Sequence, residues 1–463
     1  MNAVSRTEID LFSATLRGPL VQPADPDYAA ARTLWNAMIE RRPALIVRCA
    51  GSADVLACVG FAREHGVALA VRGGGHNIAG SALCDDGLVA DLSAMRSVRV
   101  DPERRLAYVE GGALLRDFDH EAQAFGLATP LGVNSTTGVA GLTLGGGFGW
   151  LSRKYGLTVD NLLAADIVVA DGHRLHVSAD QHPDLFWAIR GGGGNFGIVT
   201  GFEFRLHPVG PSVTAGLIVF PAAQAKDVLT RYRDFVATMG DDLSIWAVLR
   251  KAPPLPFLDP AVHGSDVLAL ALFSPLEAAA VQDAVGQVRA FGQPLGEHVG
   301  AVPYTAWQQA FDPLLAPGAR NYWKSHNFTA LSDEAIDVVL HYAARLPSGQ
   351  CEIFLGLLGG QASRAAPTDT AYPHRDALYA MNVHARWETP AEDAACVAWA
   401  REFFRAAAPH AAGSVYINFL TQDEGERIAE AYGANYQRLR QVKTQYDPHN
   451  LFRANQNIAP LAV

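Results

Sequence analysis

Cysteine is scarce in this 463-residue sequence: Cys49, Cys58, Cys84, Cys351 and Cys396 are scattered, and no two form a C-x-x-C pair. An odd, dispersed set excludes a disulfide framework, and its spacing gives no zinc site, so no metal is expected. Positive charge is also short, with 37 Lys and Arg against 47 Asp and Glu and a net charge of −10. Phosphate-backbone binding needs clustered cations, so a nucleic-acid partner is not expected. No stretch reaches the roughly twenty apolar residues of a membrane helix. Residues 1–32 lack the basic start and apolar run of a signal peptide, which makes the cytoplasm the expected location. Only 18% of residues are charged and 49% are apolar. That balance excludes disorder and, at this length, supports two domains with sizeable cores.

Glycine, by contrast, is abundant and clustered. A strand ending in Val67, Leu69 and Val71 runs into Arg72-Gly73-Gly74-Gly75-His76-Asn77. Three successive glycines cost backbone entropy, and that cost is accepted where the chain needs φ > 0 or close approach to something bulky. Such a turn aims several N–H groups into one concavity suited to a pyrophosphate, although a plain tight loop reads the same way. Further runs are Gly132-Val133-Asn134-Ser135-Thr136-Thr137-Gly138-Val139-Ala140-Gly141-Leu142, continuing to Gly145-Gly146-Gly147-Phe148-Gly149-Trp150, and Gly191-Gly192-Gly193-Gly194-Asn195-Phe196-Gly197. None has the Lys-Ser/Thr of a P-loop or the strand–turn–helix context of a nicotinamide fingerprint. Several separated tracts suit a long dinucleotide laid across many loops, or a loop-rich structural domain.

In their order these tracts resemble the FAD-linked oxidases of the vanillyl-alcohol-oxidase (PCMH-type) superfamily, and within it the berberine-bridge-enzyme-like branch. The C-terminal Tyr416-Ile417-Asn418-Phe419, Tyr446-Asp447-Pro448-His449-Asn450 and Asn455-Gln456-Asn457-Ile458 extend the likeness to residues 35–460. The resemblance implies an α+β fold, with a PCMH-type FAD-binding domain of two α/β subdomains and a substrate domain built on a large, mostly antiparallel sheet. It implies FAD joined covalently to His76. Its other expected cofactor contacts are Arg72, Gly73, Gly74, Gly75, Asn77, Ser135, Thr136, Thr137, Gly138, Gly141, Leu142, Gly145, Gly146, Gly147, Trp150, Gly197, Ile198, Val199, Tyr416, Asn418, Asn455 and Asn457. Many relatives add a second bond from a cysteine where this chain has Asn134, and no cysteine lies between Cys84 and Cys351. One covalent link is therefore expected. Leu142 is a second departure, at a position often polar or aromatic in relatives.

Residues 1–207 alternate strands and helices (the FAD-binding core from about 37), too irregularly spaced for a doubly wound fold. Ser52 is expected to cap a helix ending at Gly66. Residues 208–412 carry strand candidates Ala215–Phe220, Ile245–Leu249, Val267–Phe273, Tyr322–Phe328, Glu352–Leu358 and Ala380–Trp387, separated by amphipathic helices. One broad antiparallel sheet backed by helices fits. Under the resemblance, residues 413–463 return to the first domain.

Flavin oxidation of a substrate needs a hydride donor held against the ring, a proton acceptor and a path for oxygen. The resemblance gives Tyr416 the proton. Read as a strand, Tyr416-Ile417-Asn418 points its first and third residues the same way. A phenol titrating near pH 10 needs help to ionise, and the alternative is a buried tyrosine with a satisfied hydroxyl. Gln350 and Glu352 open a strand on one face with Phe354, either over the flavin, with Glu352 a second base, or at an exposed strand end. Trp246, Leu142 and Phe354 are expected to wall an aromatic or alicyclic substrate, although a strand Trp is more often core. Small residues over 137–140 leave room for oxygen. His374-Arg375 has no second ligand and reads as structural. The function expected is an FAD-dependent oxidase of an alcohol, amine or activated C–H in a small secondary metabolite. A carbohydrate oxidase and a non-catalytic flavin-sequestering protein are the alternatives.

Overall fold

Leu45–Arg48 and Leu69–Arg72 both pair in parallel with Leu88–Asp91, in a register that sets Arg72 opposite Asp91. The computed structural model describes residues 4–462, so residues 1–3 and 463 of the expected end domains lie outside the description. Leu45, Ile46 and Val47 are all buried, as a strand covered on both faces demands. The crossover helix Ser52–His65 stops at Gly66, whose φ of +62° gives a left-handed C-cap. Its N-cap is Gly51 rather than the expected Ser52. The N–H groups of Asp54 and Val55, which a Ser52 side chain would cap, bond to the Gly51 carbonyl instead, and the buried Asp54 carboxylate ties the helix start to the N–H groups of Arg17, Gly18 and Ala50. The turn Gly73–Asn77 thus leaves from the carboxyl end of a parallel strand, where α/β folds bind ligands.

A second, five-stranded antiparallel sheet runs Val98–Asp101, Leu106–Glu110, Ile198–Arg205, Leu162–Val168, Arg174–Ser178. The third sheet has seven antiparallel strands in the order Gly296–Pro303, Ser212–Pro221, Asp266–Ser274, Ser244–Lys251, Glu352–Leu357, Tyr379–Trp387, Arg320–Phe328. The fold is accordingly α+β with a large antiparallel sheet. Gly296–Pro303 escapes the sequence reading because this edge strand is half-exposed along its length and holds two glycines and an alanine, not an apolar alternation. Helices Ala225–Val236, Asp333–Ala343 and Asp393–Ala407 pack on one face of the sheet, burying Trp387, Tyr379 and Phe403. The other face looks toward the glycine turns.

Beyond Tyr416 the chain packs with the first half: Ile417, Tyr432, Leu439 and Ile458 share a core with Phe186, Phe196 and Phe204. Its anchor is an ion pair, Lys443 Nζ to Asp447 Oδ2 at 2.6 Å, with both side chains fully buried. Lys443 also donates to the carbonyls of Asn195 and Phe452, and Asp447 accepts from the N–H groups of Leu451 and Phe452. Each charge is thus hydrogen-bonded as well as paired, the condition for burying it.

Candidate active site

Between the glycine turns and the free face of the large sheet lies a cavity of ≈530 Å³. Gly73, Gly74, Gly75, His76 and Asn77 line it from the first turn, Thr137, Gly138, Gly141 and Leu142 from the second run, and Gly197, Ile198 and Val199 from the third. Trp150, Trp246, Glu352, Phe354, Tyr416, Asn418 and Asn455 complete the expected set on its wall. The first two turns touch backbone to backbone: a Cβ on Gly74 would sit 2.3 Å from Gly138 N. Glycine is required there by the approach itself.

Tyr416 is buried at 3% exposure, and its hydroxyl accepts from Gly147 N–H (3.1 Å) and Asn418 Nδ2 (2.9 Å). Burial pushes its pKa up to about 12, while those two donors pull the other way. With both lone pairs taken, the O–H proton is left to face the cavity. The backbone here is not the expected strand. Tyr416 caps a 3₁₀ turn, Ile417–Phe419, whose tight winding brings Asn418 back onto the Tyr416 hydroxyl. Gly145, Gly146 and Gly147 do not line the cavity; Gly145 makes room for this turn, and Gly146 and Gly147 make room for Tyr372 and Thr158. A Cβ on Gly145 would strike the Asn418 amide at 2.3 Å, and one on Gly146 would meet the Tyr372 ring at 2.9 Å.

His76 stacks on Trp35 (5.1 Å between ring centroids), and burial drives its pKa down to about 4, so the imidazole is neutral at pH 7. Its Nε2 lies 2.9 Å from Thr136 Oγ1, which lies 2.7 Å from Asn134 Oδ1. Thr136 therefore stands behind the histidine and not on the cavity wall. Ser135 is also withdrawn, its N–H and hydroxyl held by Asp312. Arg72 turns away to the carbonyl of Ala31, and Asn457 likewise lies off the wall.

Gln350 is displaced from the site. It precedes the Glu352–Leu357 strand, where a turn directs its amide to Glu388 at 2.7 Å. Glu352 is buried on the cavity wall between Arg250 Nη1 (2.6 Å) and His384 Nδ1 (3.3 Å). Despite the cost of burial, Arg250 and His384 hold its pKa at about 2. A carboxylate so stabilised is a poor proton acceptor. Trp246 and Phe354 stack 5.8 Å apart, and Phe148 and Phe419 each lie 4.9 Å from the Tyr416 ring. Sequence reasoning missed Arg250, Asn382, His384 and Phe419 on this wall. The signal was present for two of them: Asn382 and His384 alternate along a strand candidate, so they share one face. His374 and Arg375 are structural, bonded to Ala431 O and to Asp160.

Residues 43–178 match the model of an FAD binding domain, and residues 415–459 match that of berberine and berberine-like proteins. The chain is 34% identical to the uncharacterized FAD-linked oxidoreductase YgaK of Bacillus subtilis, over 96% of this chain and 98% of that one. This chain belongs to the berberine-bridge-type FAD-linked oxidoreductases. It is also 31% identical to (R)-6-hydroxynicotine oxidase of Paenarthrobacter nicotinovorans, covering 96% and 97% of the two chains. The crystal structure of 6-hydroxy-D-nicotine oxidase from Arthrobacter nicotinovorans superposes with a TM-score of 0.86 at 28% identity, covering 96% and 98%. The cavity of this FAD-linked oxidoreductase suits the cofactor. Backbone from three glycine runs borders it, and the amide atoms Asn455 Oδ1 and Gln456 Nε2 are buried beside it without partners. Buried amides rarely stay unpaired, so a polar ligand is the natural partner.

Proposed function

We propose that this enzyme oxidises an alcohol, amine or activated C–H of a small aromatic or alicyclic molecule, with Tyr416 receiving the substrate's proton. Bound in the cavity, FAD supplies the hydride acceptor and, once reduced, a route for the electrons to oxygen. Residues 1–207 and 413–463 would hold it, and residues 208–412 the substrate. The observation that carries this reading is the Tyr416 hydroxyl, buried on the cavity wall between two donors that favour its ionised form. A wall of Trp150, Trp246, Phe148, Phe354 and Phe419 suits a flat apolar molecule and offers a sugar few hydroxyl partners.

His76 is the proposed covalent anchor, acting alone. Asn134 Oδ1 accepts the Thr136 N–H, which identifies it as the acceptor end of that amide. The Thr136 hydroxyl must then donate to it and accept from His76 Nε2–H. That arrangement leaves the lone pair on Nδ1, the nitrogen we assign to the bond. Asn134 thus occupies the cysteine position and sets the histidine tautomer. The five free, buried thiols fit a reducing compartment, in keeping with the cytoplasm. Among the described residues no helix is long and apolar enough to cross a membrane. The direct test is anaerobic flavin reduction, screened over alcohols, amines, phenolics and sugars with wild type and Tyr416→Phe.

A further inference from the structure

The cavity face of the large sheet is laid out in rows by its register. One row runs Val267, Arg250, Glu352, His384, Trp323, and the next runs Ala269, Val248, Phe354, Asn382, Ser325. Trp246 and Ala271 belong to a third, which the Tyr416 ring reaches through Phe148, while Phe419, on the same ring, packs against Phe354 and Trp323. The wall is therefore aromatic where it faces Tyr416, at Trp246, Phe354 and Trp323, and ionic at Glu352 and Arg250. From Trp246 to Arg250 is four residues of strand, about 13 Å at ~3.3 Å each.

The ionic end is unevenly satisfied. Both oxygens of Glu352 are engaged, one by Arg250 Nη1 and one by His384. Arg250 spends Nε on the carbonyl of Lys251, and no described residue takes its Nη2. The buried guanidinium of Arg386 lies one row further along the same face, bonded to Asn321 Oδ1 and the backbone carbonyl of Ala316. Arg250 and Arg386 both act on Glu352, whose two oxygens are already taken, and Glu388 lies beside Arg386 away from the cavity wall. What this corner presents to a ligand is a guanidinium edge. One row nearer Tyr416, Asn382 is fully buried, and both its amide atoms lack partners.

We propose that Arg250 is a specificity-determining residue, binding a carboxylate carried by the substrate about 13 Å along the strand from the aromatic wall at Trp246. The substrate class is then an aromatic acid, its ring between Trp246 and Phe354 and a mid-chain polar group on Asn382. A cationic amine is disfavoured at this end, because Glu352, the carboxylate on the cavity wall, has no free oxygen. The proposal rests on the oxidase reading above for the position of the reacting carbon, but the anchoring itself is measured by binding.

The probes are 4-(hydroxymethyl)phenyl alkanoates of increasing chain length, with their methyl esters and trimethylammonium-ended analogues. They are titrated into the flavin-containing enzyme by calorimetry and then tested for anaerobic flavin reduction. The carboxylate of matching length should bind at least tenfold tighter than its ester, as removal of a buried charge partner generally costs that or more. Arg250→Lys should keep part of this advantage. Arg250→Met alone strands Glu352, so the decisive variant is Arg250→Met/Glu352→Gln, with melting temperature and flavin content checked. There the ratio of carboxylate to ester affinity should fall to about one. Equal binding of acid and ester to wild type, tighter binding of the ammonium probe, or an advantage surviving in the double variant overturns the assignment. Arg250-dependent binding without flavin reduction by any probe leaves the anchor standing and counts against oxidation of the benzylic alcohol. Flavin reduction by both acid and ester with equal affinity for the two does the reverse.

Discussion

Asn418 Nδ2 donates a hydrogen bond of 2.9 Å to the hydroxyl of Tyr416, two residues earlier in the chain. The contact exists because the backbone turns tightly after Tyr416, and Gly145 opposite leaves space for the Asn418 amide. It places a donor on the atom that must lose a proton.

Tyr416→Phe should therefore keep the flavin and the fold, since only one oxygen is removed. Flavin reduction by substrate should slow by about 10²- to 10⁴-fold, the range for loss of a positioned base, while reoxidation by oxygen stays nearly unchanged. The pH dependence follows from the raised pKa: reduction should quicken as pH rises toward the phenolate. Asn418→Ala removes a donor that lowers the pKa, so the rising limb should move to higher pH. A stopped-flow profile that does not move would reject Asn418 as a positioning residue.

Acid precipitation should leave yellow colour in the protein pellet, and His76→Ala should release it. Thr136→Val keeps the shape but removes the hydroxyl that orients the imidazole. One hydrogen bond is worth ~1 kcal/mol, so covalent attachment, followed by mass spectrometry during reconstitution, should slow by about five- to tenfold. Free FAD from the wild type would falsify the covalent assignment.

Glu352 tests electrostatics. Its pKa is depressed from 4.5 to about 2 in the fold, so its stabilising effect is present above pH 4.5 and lost as pH falls toward 2. The shift corresponds to on the order of 3 kcal/mol. Glu352→Gln should melt earlier than wild type at neutral pH, and the gap should close on acidification. A gap constant from pH 7 to pH 2.5 contradicts the ion-pair account.

Lys443→Met strands a fully buried carboxylate and should cost about 3–5 kcal/mol. Asp447 orders the loop leading to Asn455, so flavin retention should fall with stability. Lys443→Met/Asp447→Leu removes both charges and should restore much of the melting temperature but not the loop. Chemical denaturation and the flavin-to-protein ratio separate the two effects.

Much of this architecture was legible in the chain. Buried strands, helix stops and glycine runs are local, and each is written in consecutive residues, as with Leu45–Arg48 or the cap at Gly66. Asn134 in the cysteine position needs no structure to be read. Tyr416 and Trp246 were singled out from motif and strand pattern, and both lie on the cavity wall. Tertiary structure decided the rest, because partners distant in sequence set the environment of each group. Tyr416 and Asn418 meet through a 3₁₀ turn rather than along a strand; Gly145 clears space for Asn418, and Gly147, 269 residues before Tyr416, donates to its hydroxyl. Glu352 is an ion-paired wall residue and not a free base because Arg250, 102 positions earlier, reaches it across adjacent strands. Gln350, two residues before it, falls on a turn and leaves the site, because side chains share a face only while the strand continues. The chain alone determined which chemistry is available here; the register of the large sheet decided which groups can take part in it.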